Sequence, residues 1–197
     1  MRATDVLMDE HRVIEQVLSC LEKLANCCEA GEKLDSTSAL EALAFFRNFA
    51  DRCHHGKEEG HLFPLLEARG FGRQGGPTGV MLHEHEEGRG LVAAMARAVE
   101  RDAPREFVQH ARAYVRLLRE HIHKEDHCLF PMAAGILSGA DAEALAQSFE
   151  HVEHAEMGEG THEHYLQLAN DLADHFDVNR AQVTPACGHA RCHHHRT

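Results

Sequence analysis

The sequence predicts an all-α protein, an up-down-up-down four-helix bundle with an additional C-terminal helical extension. Three observations carry that expectation. The chain has no Trp and two Tyr but many Ala, Leu and Glu, a composition that favours helix over sheet. Its apolar residues recur every three or four positions. And an eleven-residue motif that closes one helix-turn-helix half returns at the close of the next, as though one hairpin had been written twice.

The elements follow in order. Thr4 or Asp5 is the expected cap of a first helix running to about Glu29, with Gly31 as its stop and Val6, Val13, Val17, Leu21 and Leu24 as its apolar stripe. Ser36 or Ser38 is the expected cap of a second helix, with Leu40, Leu43, Phe46, Phe49 and Ala50 facing inward. Pro64 and the glycine-rich run from Gly70 to Gly79 should break the chain. A third helix is expected from near Thr78 to about Arg101. Asp102 should cap a fourth, with Pro104 in its first turn and Pro131 ending it. A fifth helical region, Asp141 to about Phe176, is interrupted at Gly158 and Gly160. The organisation is a bundle over 1–135, an extension packing on it over 136–178, and a polar Cys/His-rich tail over 179–197, expected to be poorly ordered.

Composition excludes several classes of partner. A formal net charge of -12 argues against nucleic acid and against an anionic membrane surface. No apolar run has the length of an export signal or a membrane span. Seven Cys in no regular framework fit a reducing cytoplasm better than a disulfide-stapled fold. Nineteen His is the compositional oddity that points to chemistry.

That chemistry is in the repeated motif. His54 to Pro64 reads HHGKEEGHLFP, and His121 to Pro131 reads HIHKEDHCLFP, with six of eleven positions identical. Both contain His-x-x-x-Glu, as His54 with Glu58 and His121 with Glu125. Four residues is little more than one helical turn, so each imidazole shares a face with its carboxylate and the two can hold a metal ion. A single such pair is weak evidence, because His and Glu are common on solvated faces. Two copies in one register are not. The first and third helices add Glu10-His11 and Glu84-His85. His11 lies about 19 residues before the first turn and His54 about 17 after it, while His85 lies about 16 before the second and His121 about 17 after. All four imidazoles therefore reach the same height. Four His and two carboxylates exceed one ion's needs and suit two, as in di-iron carboxylate bundles. Structural zinc would favour four Cys or His, and calcium or magnesium mostly oxygen.

On these residues, from roughly His11 to Pro131, the sequence resembles the hemerythrin-like HHE cation-binding domains. The resemblance implies a four-helix bundle around two non-haem iron ions, held by His11, His54, Glu58, His85, His121 and Glu125. It implies a small-molecule ligand such as O2, peroxide or nitric oxide. Two departures stand out. Oxygen carriers of the family have a second His one turn after that of helix three, where this chain has Arg89. Their helix-four carboxylate is an Asp five residues after its His, which here is Asp126. Glu125 matches Glu58 in the repeat and is preferred as the bridge.

Other residues carry weaker signals. His55 and Glu59 repeat the His-x-x-x-Glu spacing, but apolar Ile122 at the matching place argues against His55 as a ligand. His83 should face solvent, and Tyr114 should pack in the core. Cys53 and Cys128 read as small buried hydrophobes. Glu150, Glu153, Glu156, His162 and Glu163 lie around the break in the fifth region. Glu156 or His162 is expected over the bundle end near His85, within reach of the metal or of Arg89, supplying what helix three lacks. The functional expectation is a non-haem di-iron protein that senses, detoxifies or stores. The alternatives are an iron-donating repair protein for iron–sulfur clusters, of a kind that carries an N-terminal Cys-bearing module not seen in these residues, and a regulatory module with a structural metal.

Overall fold

The computed structural model describes residues 3–153, 158 and 160–182. Helix α1 spans Ala3–Glu29 and ends where Gly31 takes φ +94°, a left-handed conformation that costs glycine nothing. Helix α2 (Ser36–Phe45) runs without a break into π-helical stretches at Phe46–His55 and Glu58–Leu62 and then into α3 (Phe63–Ala68), making one rod over 36–68. Helix α4 spans Pro77–Glu100. Helix α5 (Pro104–Lys124) continues through a π stretch at Glu125–Leu129 into α6 (Phe130–Ile136), a second rod over 104–136. Helices α7 (Gly139–His151) and α8 (Thr161–His175) follow, the former started by a capping box of Ser138 and Asp141. The order of contacts around the bundle is α1, the 36–68 rod, α4, the 104–136 rod and back to α1, the expected up-down-up-down circuit, with the two extra helices against α1.

Several expected boundaries move. Helix α1 begins at Ala3, so Thr4 and Asp5 lie inside its first turn. The cap of α2 is Asp35, whose carboxylate accepts from the backbone N–H of Thr37 and Ser38. Leu40 is 50% exposed, while Leu43, Phe46, Phe49 and Ala50 are buried. Asp102 has φ +49°, and Ala103 holds the position before Pro104. Neither Pro64 nor Pro131 breaks its rod. Each follows directly on a π stretch and sits in the first turn of a fresh α-segment, where its missing N–H owes no bond to the preceding turn. Cys128 is exposed, unlike Cys53. The tail from 183 on lies outside the described residues.

The apolar core is in two pieces. The larger, built on Phe45, Phe46, Phe49, Met95, Phe107, Tyr114 and the α1 stripe, fills the bundle toward the hairpin turns and takes in Ala169, Leu172 and Ala173 of α8. The smaller joins Leu62, Phe63, Leu129 and Phe130, from the two Leu-Phe-Pro sequences, to Leu7, Met81, Leu145 and Phe149. Between them lies a layer of buried His and Glu side chains.

The capping assignment has a measurable consequence. Asp35→Ala should lower stability in urea denaturation by about 1 kcal/mol, while Ser36→Ala should stay within about 0.5 kcal/mol. Equal losses would return the cap to Ser36.

Candidate metal centre

Two groups of side chains converge in the layer. His11, His54, Glu58 and Glu125 each offer a ligand atom within 4.8 Å of the others, and so do His55, Glu58, His85 and His121. Glu58 belongs to both. Each motif pair meets as its spacing predicts: His54 Nε2 lies 3.6 Å from Glu58, and His121 Nε2 lies 3.3 Å from Glu125. His11 Nε2 is 3.2 Å from Glu125, and His85 Nε2 is 3.5 Å from Glu58. The six inner residues expected from the sequence are thus brought together, all of them at 1% exposure or less.

The outward nitrogens are engaged by acids; of the inward ones, those of His11 and His54 have no hydrogen-bond partner among the described residues, and those of His85 and His121 lie 3.1 Å from each other. His54 Nδ1 lies 2.9 Å from Glu10, and His121 Nδ1 lies 2.9 Å from Glu84. His85 Nδ1 lies 2.7 Å from Glu59, and His11 Nδ1 lies 2.7 Å from Asp126. The repeated letters now have distinct tasks. The Glu of each Glu-His pair steadies the His of the opposite rod in its own hairpin. The acid that follows each His-x-x-x-Glu steadies the His of the other hairpin. Every such carboxylate is in turn held by a cation: Glu10 by Lys57, Glu84 by Lys124, Glu59 by Arg89 and Asp126 by Arg12. An imidazole whose far nitrogen is bound to a carboxylate is fixed in ring orientation and tautomer, which is how ligating histidines are usually supported.

His55 is the residue that sequence reasoning discounted. It is buried, stacks on His85 with ring centroids 3.7 Å apart, and has Nδ1 3.3 Å from Asp51. The π turns of 46–55 are wider than α turns and bring consecutive residues His54 and His55 both inward. In the second rod the α-helix persists to Lys124, so Ile122 was a misleading guide. Arg89 points at no imidazole. It binds Asp51 at 2.9 Å and Glu59 at 2.5 Å, so carboxylates intervene between its charge and the layer.

Asp126 and Glu125 are also separated. Both Asp126 oxygens are engaged, by His11 and by Arg12, whereas neither Glu125 oxygen has a hydrogen-bond partner. His162 is not near His85 as expected. It packs on the Phe49 ring and lies 3.7 Å from Glu10, in a third group with Glu10 and Glu153 whose place for a cation is held by the Lys57 ammonium. The reason is local: α8 starts beside α1 and the 36–68 rod, on the His54 side. Glu156 lies outside the described residues. His83 is exposed, and Tyr114 packs edge-on against Phe46.

The electrostatics divide the layer. Burial pushes His54 and His55 down to about 4 and His85 to about 3, so all three are neutral. Burial opposes protonation of His121 too, but Glu125 and Glu84 outweigh it and push it up to about 9. His11 moves upward in the same way, through Asp126 and Glu125. Burial would raise Glu125, yet His121 and His11 hold it well below the usual carboxylate range. Burial, and then the Glu125 charge, drives Glu58 well above that range. The metal-free layer therefore keeps a proton on Glu58 that an ion would have to displace.

That proton sets a pH dependence. A raised folded-state pKa contributes stability that is full below the unfolded carboxyl value of about 4.3 and is lost as pH climbs toward the folded value. Glu58→Gln mimics the protonated form. In chelator-treated protein it should raise stability at pH 7 to 8 by about 1–3 kcal/mol and flatten the decline from pH 5 upward, by urea titration at each pH. An unchanged slope would mean that Glu58 is ionised in the metal-free fold.

Over 191 residues the chain is 27% identical to an uncharacterized protein of Mycobacterium tuberculosis strain H37Rv, covering 93% of this chain and 74% of that one. An uncharacterized protein of Mycobacterium bovis matches over the same span at the same identity. A shorter stretch of 89 residues, 41% of this chain and 40% of the other, is 38% identical to the iron-sulfur cluster repair protein YtfE of Musicola paradisiaca. No solved structure matches at a significant level. The Hemerythrin HHE cation binding domain matches residues 2–133. The chain belongs to the hemerythrin HHE cation-binding family.

Proposed function

We propose that the layer holds two iron ions and that the protein reacts with a small molecule such as O2, peroxide or nitric oxide. One observation carries this reading. Nε2 of His11 and of His54, and all four oxygens of Glu58 and Glu125, are buried without a hydrogen-bond partner and converge on one place. Orphaned buried donors of this kind are costly unless an ion satisfies them. The donor set is imidazole and carboxylate with no thiolate, which suits iron rather than a soft metal, and the acids are too few for calcium. Glu58, which belongs to both groups, and Glu125 would be the carboxylate ligands. His11 and His54 would complete one position; His55, His85 and His121 would complete the other. When bound, the ions would supply reversible one-electron redox change and coordination positions open to a small ligand. The surrounding residues hold the imidazoles in orientation through Glu10, Glu59, Glu84 and Asp126, and exclude water with Phe63 and Phe130. Glu156 is kept in this reading as a further ligand, and His162 as a support for Glu10. No helix among the described residues is long and apolar enough to cross a membrane, and five described cysteines are unpaired, in keeping with the cytoplasmic setting proposed here.

The partial similarity to an iron-sulfur cluster repair protein favours a second reading, in which the ions are cargo delivered to a damaged cluster. Release of iron to an apo-cluster acceptor would support it over the first.

Protein from iron-replete cells should carry about two irons per chain by elemental analysis. Glu58→Gln, Glu125→Gln and His55→Ala should each reduce that content heavily, whereas Asp126→Asn should weaken affinity by about 10–100-fold and still allow filling at excess iron. One zinc per chain with no iron would overturn the di-iron reading.

A further inference from the structure

A pocket of about 80 Å³ lies between the 36–68 rod and α4. Buried Phe46 and Val92 form its walls, His55 and His85 its inner end, and Arg47, Arg89 and the Asp51 carboxylate its remaining lining. It has room for a molecule of a few heavy atoms. It also reaches the least enclosed of the five imidazoles, since His55 is 5% exposed and the other four 1% or less. The opposite side is covered among the described residues. Lys57 is fully buried between Glu10 and Glu153 with the Phe149 ring 5.8 Å away, and Phe130 stacks on His11 at 5.5 Å.

The charges of the lining are unequal. The Arg89 guanidinium is spent on Asp51 and Glu59. Arg47 is exposed and has no ion pair among the described residues. In a chain of net charge -12, which repels anions at long range, Arg47 is the lining cation left without an ion-pair partner among the described residues, whereas the Asp51 carboxylate is held by Arg89 and His55. We propose that the pocket is the port by which small inorganic anions of two or three heavy atoms reach the centre from the His55–His85 side, with Arg47 setting the preference for anions. The proposal rests on the di-iron reading and assigns the access route and the selecting residue.

The test uses the iron-loaded full chain, with azide as the anionic probe of the oxidised protein and nitric oxide as the neutral probe of the reduced protein. Both associations are followed by stopped-flow absorbance after elemental analysis has matched the iron contents. Arg47→Glu should slow azide about 3–10-fold at low ionic strength, with the difference fading toward ~0.5 M salt, and should leave nitric oxide unaffected. Arg105→Glu makes the same change of net charge on an exposed residue beside the far turn, and should leave both rates unchanged. Val92→Phe fills the pocket and should slow both probes. Fully loaded Val92→Phe with both rates unchanged would overturn the port. Arg47→Glu indistinguishable from Arg105→Glu would overturn the selection. Should Val92→Phe fail to load, Arg47→Glu still decides, because an exposed side chain outside the core can change without loss of the fold. Wild-type protein that takes up no metal would overturn the di-iron reading and the port together, and elemental analysis shows this before any probe is added.

Discussion

Everything in this fold is arranged around one buried layer of imidazoles and carboxylates. Ionisable groups at near-zero exposure are expensive, and the chain tolerates them by pairing each imidazole outward with an acid and each acid with a lysine or arginine. The alternation of sign runs outward from the layer to the surface. Among the described residues it leaves the innermost atoms of His11, His54, Glu58 and Glu125 without hydrogen-bond partners. A larger apolar core on one side and a smaller one on the other seal the layer, and the Leu-Phe pair of each repeated motif belongs to the smaller. The motif thus carries an inward His and Glu, the acid that steadies a His of the other hairpin, and part of the lid.

The repeat reappears as two parallel sets of contacts. Lys57, Glu10, His54 and Glu58 correspond to Lys124, Glu84, His121 and Glu125. Arg89, Glu59 and His85 correspond to Arg12, Asp126 and His11. Two additions break the symmetry, and both attach to the 36–68 rod. His55 with Asp51 enlarges one half, and Glu153 with His162 covers the Lys57–Glu10 pair of the other. The extension therefore acts on one half of the centre, whereas the equivalent Lys124 remains partly open to solvent.

The bundle and six inner residues were legible because helical periodicity and a duplicated spacing are local signals that survive in one sequence. The supporting acids were legible as letters, in Glu-His and in the residue after each His-x-x-x-Glu, but their tasks were not, because these require knowing which helices are neighbours. His55 was lost because a period of 3.6 does not describe a π stretch, and nothing in FRNFADRCHH announces one. His162 was placed at the wrong side because a helix after a glycine break can leave in any direction, and its docking is decided by contacts such as Gln16 with the Ala169 carbonyl. The prolines misled for a related reason: the rule that proline ends a helix assumes an α turn before it.

The wide turns of 46–55 also bear on how such chains should be compared. A π turn holds one residue more than the α turn it replaces, so the stretch behaves like an insertion that the helix absorbs where it occurs. Flanking turns keep their faces, and only side chains inside the stretch are re-aimed. Two related chains can then present an imidazole at the same point in space from positions whose spacing to the shared Glu differs by one. An alignment that forbids a gap inside a helix will match such residues wrongly, and will score a ligand as missing when it has moved one step along the rod.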